Sequence, residues 1–268
     1  RGDVYKRQTL HRLPDGRVGY LLSGRGTSPA TQRQVLLRRI RSLYPSFDDD
    51  AVERFLQMLL RSTHSAYANL LYQEQQYRRL DESLVRWTDA VSEPQRGQRQ
   101  LVASAFRHAW RLEGDRVHFP DDAQSGLRLG VLNVPAGGLP VLPVGNDFGH
   151  ITDLVLVGLR LHALPTGFLN FFPGLRRLDL SRNALPAIPQ GLEMLPRLRY
   201  LHLASNRIRM TAPHAGALAQ LVNLRTLDLS GNPLGAISLR FNQTSRLREL
   251  HLYRTGLQVV PDGLEWCG

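Results

Sequence analysis

Four residues in this chain have side chains that could perform chemistry. Cys267 is the only cysteine among the 268 residues, and a cysteine can act as a nucleophile once it is deprotonated. His202, Asp228 and His251 recur at a similar spacing, and such a set can form a proton relay or bind a metal ion. Whether either chemistry is feasible depends on the secondary structure that positions these residues.

The chain carries a formal net charge of +11, which would suit an acidic partner or a nucleic acid. Part of this charge lies in residues 1–8, where "DVYKRQ" matches the translation of a transposon end used to prepare sequencing libraries. We therefore expect residues 1–8 to lie outside the fold, and the remaining chain keeps about +9. A nucleic-acid partner is not expected, because Asp153, Asp179, Asp228 and Glu249 lie on the surface, described below, that would meet the phosphates.

Residues 31–114 have apolar side chains at helical spacing, after an irregular segment at 9–30. A first helix is predicted to stop before Pro45, and a second begins at an acidic first turn in "SFDDDAVERF". A long third helix follows, and the fourth is expected to bury Leu101, Ala105, Phe106, Ala109 and Trp110. These stripes predict a helical bundle whose apolar residues serve packing.

The longest apolar stretch, "GVLNVPAGGLPVLPVG", is broken by prolines, so no membrane span is expected.

Residues 151–268 contain five copies of the pattern LxxLxLxxNxL, which is typical of leucine-rich repeats. The copies are "ITDLVLVGLRL", "LRRLDLSRNAL", "LRYLHLASNRI", "LRTLDLSGNPL" and "LRELHLYRTGL", beginning at Ile151, Leu175, Leu198, Leu224 and Leu247. Within residues 115–150 a degenerate copy, "LRLGVLNVPAGGLPVLP", is expected to cap the array at the junction. The predicted fold class is therefore α plus an α/β solenoid: an N-terminal helical bundle followed by a leucine-rich-repeat horseshoe.

The repeat alignment predicts structural roles for two kinds of residue. Asn183, Asn206 and Asn232 are expected to hydrogen-bond the backbone where the chain leaves each strand, as a structural asparagine ladder. Cys267 aligns with Leu195, an apolar position, so it is expected to be buried rather than reactive. The last repeat shows no polar terminal cap, and we expect the array to be truncated at its C-terminus.

Alternation along the strands predicts which side chains point out of the concave side of the sheet, here called the sheet face. The residues expected to bind a substrate are Arg177, Asp179, Tyr200, His202, Asp228, Glu249, His251 and Tyr253 on this face, together with Arg176, Arg199, Arg225 and Arg248 at its edge. Asp153, Val155, Val157, Ser181, Ala204, Thr226 and Ser230 share the face. Because His202 and His251 are two strands and roughly 10 Å apart, whereas ligand bonds are about 2 Å, no metal site is expected.

The helical segment followed by "LPVLPVGNDFGHITDLVLVGLRLHALPTGFLNFFPGLRRLDLSRNALPAIPQGLEMLPRLRYLHLASNRI" resembles the NEL (novel E3 ligase) family of bacterial leucine-rich-repeat ubiquitin ligases. The resemblance covers residues 31–268 and is most specific in "DFGHITDLVL". It implies that the repeats select a substrate and restrain a C-terminal catalytic domain whose cysteine lies in a Cys-x-Asp motif. This chain has no such motif, so no catalytic residue is assigned and Cys267 does not take that role.

The resemblance implies the substrate-recognition and regulatory part of a secreted E3 ubiquitin ligase whose catalytic domain is missing from the chain. The implied partners are a host protein substrate on the sheet face and, through the missing domain alone, a ubiquitin-charged E2. It further implies secretion into the host cell cytoplasm, and no cofactor is expected. The alternative is a non-enzymatic leucine-rich-repeat module, or a toxin module, that acts by binding alone.

Overall fold

The computed structural model describes residues 10–12, 18–20, 29–62, 65–115, 126–130, 138–236, 239, 246–257 and 261–263. Its α-helices are α1 (Pro29–Leu43), α2 (Asp49–Arg61), α3 (Ala66–Asp89), α4 (Gln95–Asp115) and α5 (Ala212–Ala219). Its β-strands are β1 (Leu10–Arg12), β2 (Val18–Tyr20), β3 (Gly126–Gly130), β4 (Asp153–Val157), β5 (Arg177–Asp179), β6 (Tyr200–His202), β7 (Thr226–Asp228) and β8 (Glu249–His251). None of the helices described is both long and apolar enough to span a bilayer.

The described residues fall into two compact units, one within residues 1–79 and 111–122 and the other within 80–110 and 123–268. The division runs within α3 and α4, and the predicted domain boundaries stay predictions. Residues 9–30, which were expected to be irregular, contain β1 and β2, and these two strands pair antiparallel. The sequence signal for this pair is the dipeptide Asp15-Gly16 between them, which is typical of hairpin turns.

The first unit is held together by an aromatic cluster and an ion pair. Tyr44, just before Pro45, stacks on Phe47 with ring centroids 4.7 Å apart, and both rings contact Phe55 of α2. Arg39 of α1 donates from Nε to Glu74 of α3 over 2.8 Å. This hydrogen bond raises the pKa of Arg39 above its ordinary value and links the two helices.

Helix α2 begins where the sequence predicts a helix start. The carboxylate of Asp48 accepts a hydrogen bond from the Ala51 backbone N–H over 2.7 Å, which satisfies one free donor of the first turn. Asp49 and Asp50 add negative charge next to the positive end of the helix dipole. Burial of Phe55 and Leu56 then fixes the inner face of the helix.

Helix α4 belongs largely to the second unit, and its buried stripe differs from the prediction at Leu101 and at Ala105, which is only half-buried. Val102, Phe106 and Ala109 are almost fully buried, whereas Leu101, which was expected inside, is 57% exposed. The three buried positions follow the i, i+4, i+7 spacing of one helix face, and Leu101 lies about 100° around the helix from Val102. Within the same unit, Phe106 makes an edge contact with Phe148 at a centroid distance of 6.1 Å.

The repeats build a six-stranded parallel sheet in the order β3-β4-β5-β6-β7-β8, so each strand lies beside the next one in sequence. The degenerate copy contributes β3, whose Leu127 pairs with Leu154 of β4. Leucines at the fourth and sixth repeat positions form two inward rows. These are Leu154, Leu178, Leu201 and Leu227 in one row and Leu156, Leu180, Leu203 and Leu229 in the other, all with 0% exposure. The predicted leucine-rich repeats and the helices before them are confirmed, and the horseshoe curvature stays a prediction.

A buried asparagine at the ninth position of three repeats binds the backbone of two successive repeats. The side-chain oxygen of Asn183 accepts hydrogen bonds from the backbone N–H groups of Leu159 and Leu161, each over 3.0 Å. Its amide donates to the carbonyl oxygens of Leu156 and Leu180 over 2.7 and 2.9 Å. Asn206 and Asn232 make equivalent bonds one and two repeats further along. At the same position of the last copy, Thr255 donates to Leu252 of its own repeat.

The residue before this asparagine position adopts a left-handed backbone conformation in every repeat. The positions and their φ angles are Gly158 (71°), Arg182 (58°), Ser205 (54°), Gly231 (69°) and Arg254 (55°). A left-handed residue turns the chain sharply out of the strand, and glycine adopts it without the cost that a side chain adds. The hydrogen bonds made by the following asparagine hold the turn at Arg182 and Ser205, and Thr255 follows Arg254 in the last repeat.

Our first prediction concerns Gly174, which packs against the backbone of the preceding repeat. A Cβ atom placed there would lie 1.9 Å from the carbonyl oxygen of Gly149. Because backbone has to move to relieve this overlap, we expect Gly174→Ala to lower the free energy of unfolding by at least about 2 kcal/mol. Urea denaturation followed by circular dichroism measures the change.

Gly216 in α5 is the matched control, because no atom lies within 4 Å of a Cβ built there. Gly216→Ala should raise the stability of the same unit by up to about 1 kcal/mol, since alanine is the better helix former. A neutral result for Gly174→Ala would contradict the close approach of the two backbones.

A second prediction compares the hydrogen-exchange rates of two backbone amides at equivalent positions of the sheet. The N–H of Arg199 bonds to the carbonyl of Arg176, and the N–H of Arg248 bonds to that of Arg225, each over 2.8 Å. Strand β8 pairs with a neighbour on one side only among the described strands. Hydrogen exchange should therefore be at least about tenfold faster at Arg248 than at Arg199, and equal protection would contradict this ordering.

Candidate protein-binding face

The parallel register places the predicted binding residues of the sheet face in two rows that cross the strands. Position three of each repeat forms the first row, which contains Asp153, Arg177, Tyr200, Thr226 and Glu249. Position five forms the second row, which contains Val155, Asp179, His202, Asp228 and His251. Neighbouring residues in a row lie about 5 Å apart, so a partner could touch several repeats at once.

Two residues expected to be exposed on this face are buried. Asp153 and Thr226 are each 5% exposed. Thr226 has a short side chain between longer neighbours, and its hydroxyl donates to the carboxylate of Glu249 over 3.1 Å. Asp153 accepts a hydrogen bond from the Thr152 hydroxyl over 2.8 Å. Alternation predicts on which side of the sheet a side chain lies, but neighbouring side chains decide whether it reaches solvent.

Two tyrosines are the large apolar groups on the described sheet face. Tyr200 is 37% exposed and Tyr253, just beyond β8, is 70% exposed. The guanidinium carbon of Arg254 lies 5.1 Å from the centre of the Tyr253 ring. Tyrosine buries a large apolar ring at low conformational cost and keeps a hydroxyl for hydrogen bonding, so both residues suit contact with a protein surface.

The two aspartates of the second row have a structural task in addition to facing solvent. Asp179 accepts a hydrogen bond from the backbone N–H of Ser181 over 3.1 Å, and Asp228 accepts one from Ser230 over 2.9 Å. Each carboxylate thus holds the chain at the end of its strand, as aspartate does in many turns. Arg177 also lies 3.6 Å from Asp179. These carboxylates can meet a partner only through the oxygen atoms that remain free.

The histidines on the face are half-buried or exposed, and one lies near an acidic neighbour. His251 Nε2 is 3.9 Å from a carboxylate oxygen of Glu249, and both side chains are more than half exposed. Within the part of the chain that the structure describes, no three His, Cys, Asp or Glu side chains are grouped so that they could hold a metal ion. Cys267 lies outside the described residues, and its burial stays a prediction.

Three arginines at position two, Arg176, Arg199 and Arg225, line a pocket of about 240 Å³ at the edge of the face. They come from the second, third and fourth repeats, whereas the predicted Arg248 of the fifth repeat is not among the residues that line the pocket. The pocket is completed by Pro196, Arg197, Asn223 and Arg246. The side-chain amide of Asn223 donates to the carbonyl of Pro196 over 2.9 Å and so links two of the turns that form the wall.

Arg197 and Arg246 are site residues that the repeat alignment missed. Each stands immediately before the first leucine of its repeat, outside the LxxLxLxxNxL pattern. The missing signal is the "RLR" triplet, which occurs as Arg197-Leu198-Arg199 and again as Arg246-Leu247-Arg248. Both arginines of the first triplet line the pocket, whereas only Arg246 of the second triplet does.

Comparison with known proteins identifies the repeats. Residues 149–208 match one family model for leucine-rich repeats, and residues 223–243 match another. A search among curated proteins found no significant match. The repeat array is therefore a leucine-rich-repeat module of the kind that binds proteins.

Three solved structures are similar to parts of the chain. A leucine-rich-repeat protein of Leptospira interrogans is 32% identical over 31% of this chain and 20% of its own, with a TM-score of 0.28. The BIR2 ectodomain from Arabidopsis thaliana is 25% identical over 40% of this chain and 56% of its own, with a TM-score of 0.29. The leucine-rich-repeat domain of the type III effector XopL is 20% identical over 68% of this chain and 70% of its own, with a TM-score of 0.43.

Proposed function

We propose that the repeats are the substrate-recognition and regulatory part of a secreted bacterial E3 ubiquitin ligase. The observation that carries the binding role is the sheet face, where exposed Tyr200 and Tyr253 lie among charged residues that five repeats present in register. The ligase assignment is supported by the sequence resemblance, most specifically "DFGHITDLVL". The substrate would be a host protein, and the place of action would be the host cell cytoplasm.

The segment that carries the resemblance has a clear structural task in this chain. Phe148 is fully buried, and its backbone N–H bonds to the carbonyl of Phe171 over 3.0 Å. His150 is 3% exposed, and its Nε2 donates to the carbonyl of Ala109 in α4 over 2.7 Å. The motif thus ties a helix to the first repeat within one unit. This gives a packing reason for the sequence pattern in this chain.

In this role the chain would bind the substrate, and the transfer of ubiquitin would require a cysteine in a separate catalytic domain. No residue of the described chain is assigned to the transfer. A non-enzymatic binding module is the second candidate, because the sheet face alone is sufficient for that function. The two candidates differ only in what is joined to the repeats.

A third prediction tests the binding role. We expect Tyr200→Ala combined with Tyr253→Ala to weaken binding of the captured host protein at least about 100-fold, since buried tyrosine anchors contribute about 2 kcal/mol or more each. The protein is captured from a eukaryotic lysate, identified, purified and titrated by calorimetry. Circular dichroism should be unchanged, because both rings point away from the leucine rows.

The matched control removes two exposed apolar side chains from the return segments of the second and third repeats. Met194→Ala combined with Val222→Ala changes side chains that are 56% and 41% exposed and lie outside the strands. This variant should bind the captured protein as the unchanged chain does. Equal weakening by both double variants would place the binding site away from the sheet face.

A fourth prediction separates the ligase from the binding module. The 268-residue chain should form no thioester with ubiquitin when it is mixed with a charged E2, and it should compete with the longer protein for its substrate. The coding sequence beyond Gly268 should contain a Cys-x-Asp motif, and the longer protein should form a thioester that a Cys→Ala change in that motif abolishes. A stop codon soon after a polar cap would instead support the binding module.

A further inference from the structure

The pocket at the edge of the sheet face concentrates positive charge, and no carboxylate is among its described lining residues. Five of its seven lining residues are arginines, namely Arg176, Arg197, Arg199, Arg225 and Arg246. Among the residues that the structure describes, no carboxylate lies within 4 Å of any of these five guanidinium groups. By contrast, Arg177, the residue after Arg176, has its Nη2 atom 3.6 Å from a carboxylate oxygen of Asp179. The pocket therefore differs electrostatically from the rest of the face.

The backbone forces these like charges together. The N–H of Arg199 bonds to the carbonyl of Arg176 over 2.8 Å, and the N–H of Arg225 bonds to that of Arg199 over 2.7 Å. The three side chains therefore start from neighbouring strands about 5 Å apart. Arg176, Arg199 and Arg225 are half-buried, so solvent screens their repulsion less than it would on an open surface. An anion in the pocket would relieve this repulsion.

We propose that this pocket binds the phosphoryl group of a phosphorylated side chain on the protein partner. This inference rests on the proposed function, because it assumes that a protein occupies the adjacent sheet face. A phosphoryl group carries a charge of about −1.5 to −2 and three strong acceptor oxygens. Guanidinium groups match that geometry with paired N–H donors. Several arginines converging on one point therefore fit a phosphoryl group better than a carboxylate, which has one charge and two oxygens.

The size of the pocket favours one compact group. Its volume is about 240 Å³. That is sufficient for a single phosphoryl group and the end of the side chain that carries it. The hydrogen bond between Asn223 and Pro196 holds two of the contributing turns together, so the arginines are presented from a fixed frame.

The surroundings of the pocket disfavour a polynucleotide. Asp179, Asp228 and Glu249 lie in the two rows of the sheet face beside the arginines. Successive phosphates of a nucleic acid would meet these carboxylates as soon as the strand left the pocket. A peptide with one phosphorylated residue places a single phosphoryl group among the arginines and can offer neutral or basic residues to the acidic positions. The charge pattern therefore fits a phosphorylated protein.

The test measures phosphate-dependent binding to the 268-residue chain. The probes are fluorescent degenerate peptide libraries with a fixed central phosphoserine, phosphothreonine or phosphotyrosine, and the same libraries without the phosphate. Anisotropy titrations at constant ionic strength should show at least tenfold tighter binding for one phosphorylated library. The double change Arg199→Gln with Arg225→Gln should abolish this preference. Arg197→Gln with Arg246→Gln, two exposed residues whose replacement leaves the strands untouched, should also reduce it.

The control for net charge is Arg207→Gln with Arg209→Gln, which removes two exposed arginines of the third repeat that do not line the pocket. This variant should keep the full phosphate preference. The proposal is overturned if no phosphorylated library is preferred, or if the control and pocket variants lose binding equally. It is also overturned if a single-stranded oligonucleotide or anionic lipid vesicles bind more tightly than the peptides and depend on the same arginines.

Failure of the phosphoryl-binding proposal can be distinguished from failure of the proposed function. Treating the captured host protein with a phosphatase tests the phosphoryl group, whereas the Tyr200 and Tyr253 variant tests the sheet face. Binding that survives phosphatase and the arginine changes but is lost in the tyrosine variant would refute the pocket and leave the proposed function standing. A phosphopeptide preference that persists in the tyrosine variant, without any captured protein that needs the sheet face, would refute the proposed function instead.

Discussion

The hydrogen bonding of the buried asparagines is the constraint on which the repeat array depends. Each repeat must turn out of its strand while its backbone is still buried, and unpaired N–H and C=O groups are costly there. Asn183, Asn206 and Asn232 satisfy groups in their own repeat and in the preceding one. Adjacent turns are thereby coupled, and the leucine rows can stack in one register. The order of the sheet follows from this coupling, since each strand has the next repeat as its neighbour.

This arrangement divides the side chains of a strand between stability and recognition. The leucines of the two inward rows have no exposure, so their replacement would disturb packing. The alternating positions are largely free of packing duties and can vary in charge and size without affecting the core. Asp179 and Asp228 are exceptions, because their carboxylates also accept backbone hydrogen bonds at the strand ends. A change at either aspartate would therefore affect binding and turn geometry together, whereas a change at Tyr200 would not.

Much of the repeat architecture could be predicted from sequence because a repeated pattern averages out local ambiguity. Five copies in register determine which leucines face inward and where each asparagine lies. Features that occur at a single position were harder to predict. Leu101 is exposed because the buried face of α4 begins one residue further on. Thr226 is buried because the side chains on either side of it are longer. Three arginines of the pocket were among the predicted residues, whereas Arg197 and Arg246 precede the repeat pattern and were missed. The pocket combines arginines from separate repeats, and only the folded structure shows that they come together.

The repeats are not equal in length, and the difference lies away from the sheet. The copies begin 24, 23, 26 and 23 residues apart, and the longest spacing contains α5, yet Tyr200 and Thr226 on either side of it remain paired in register. Extra residues are thus absorbed in the return segment without shifting the rows. Insertions and substitutions consequently act on different properties of this molecule. Over evolutionary time its outer side could diversify by gaining or losing residues while the specificity of the sheet changed independently, one side chain at a time.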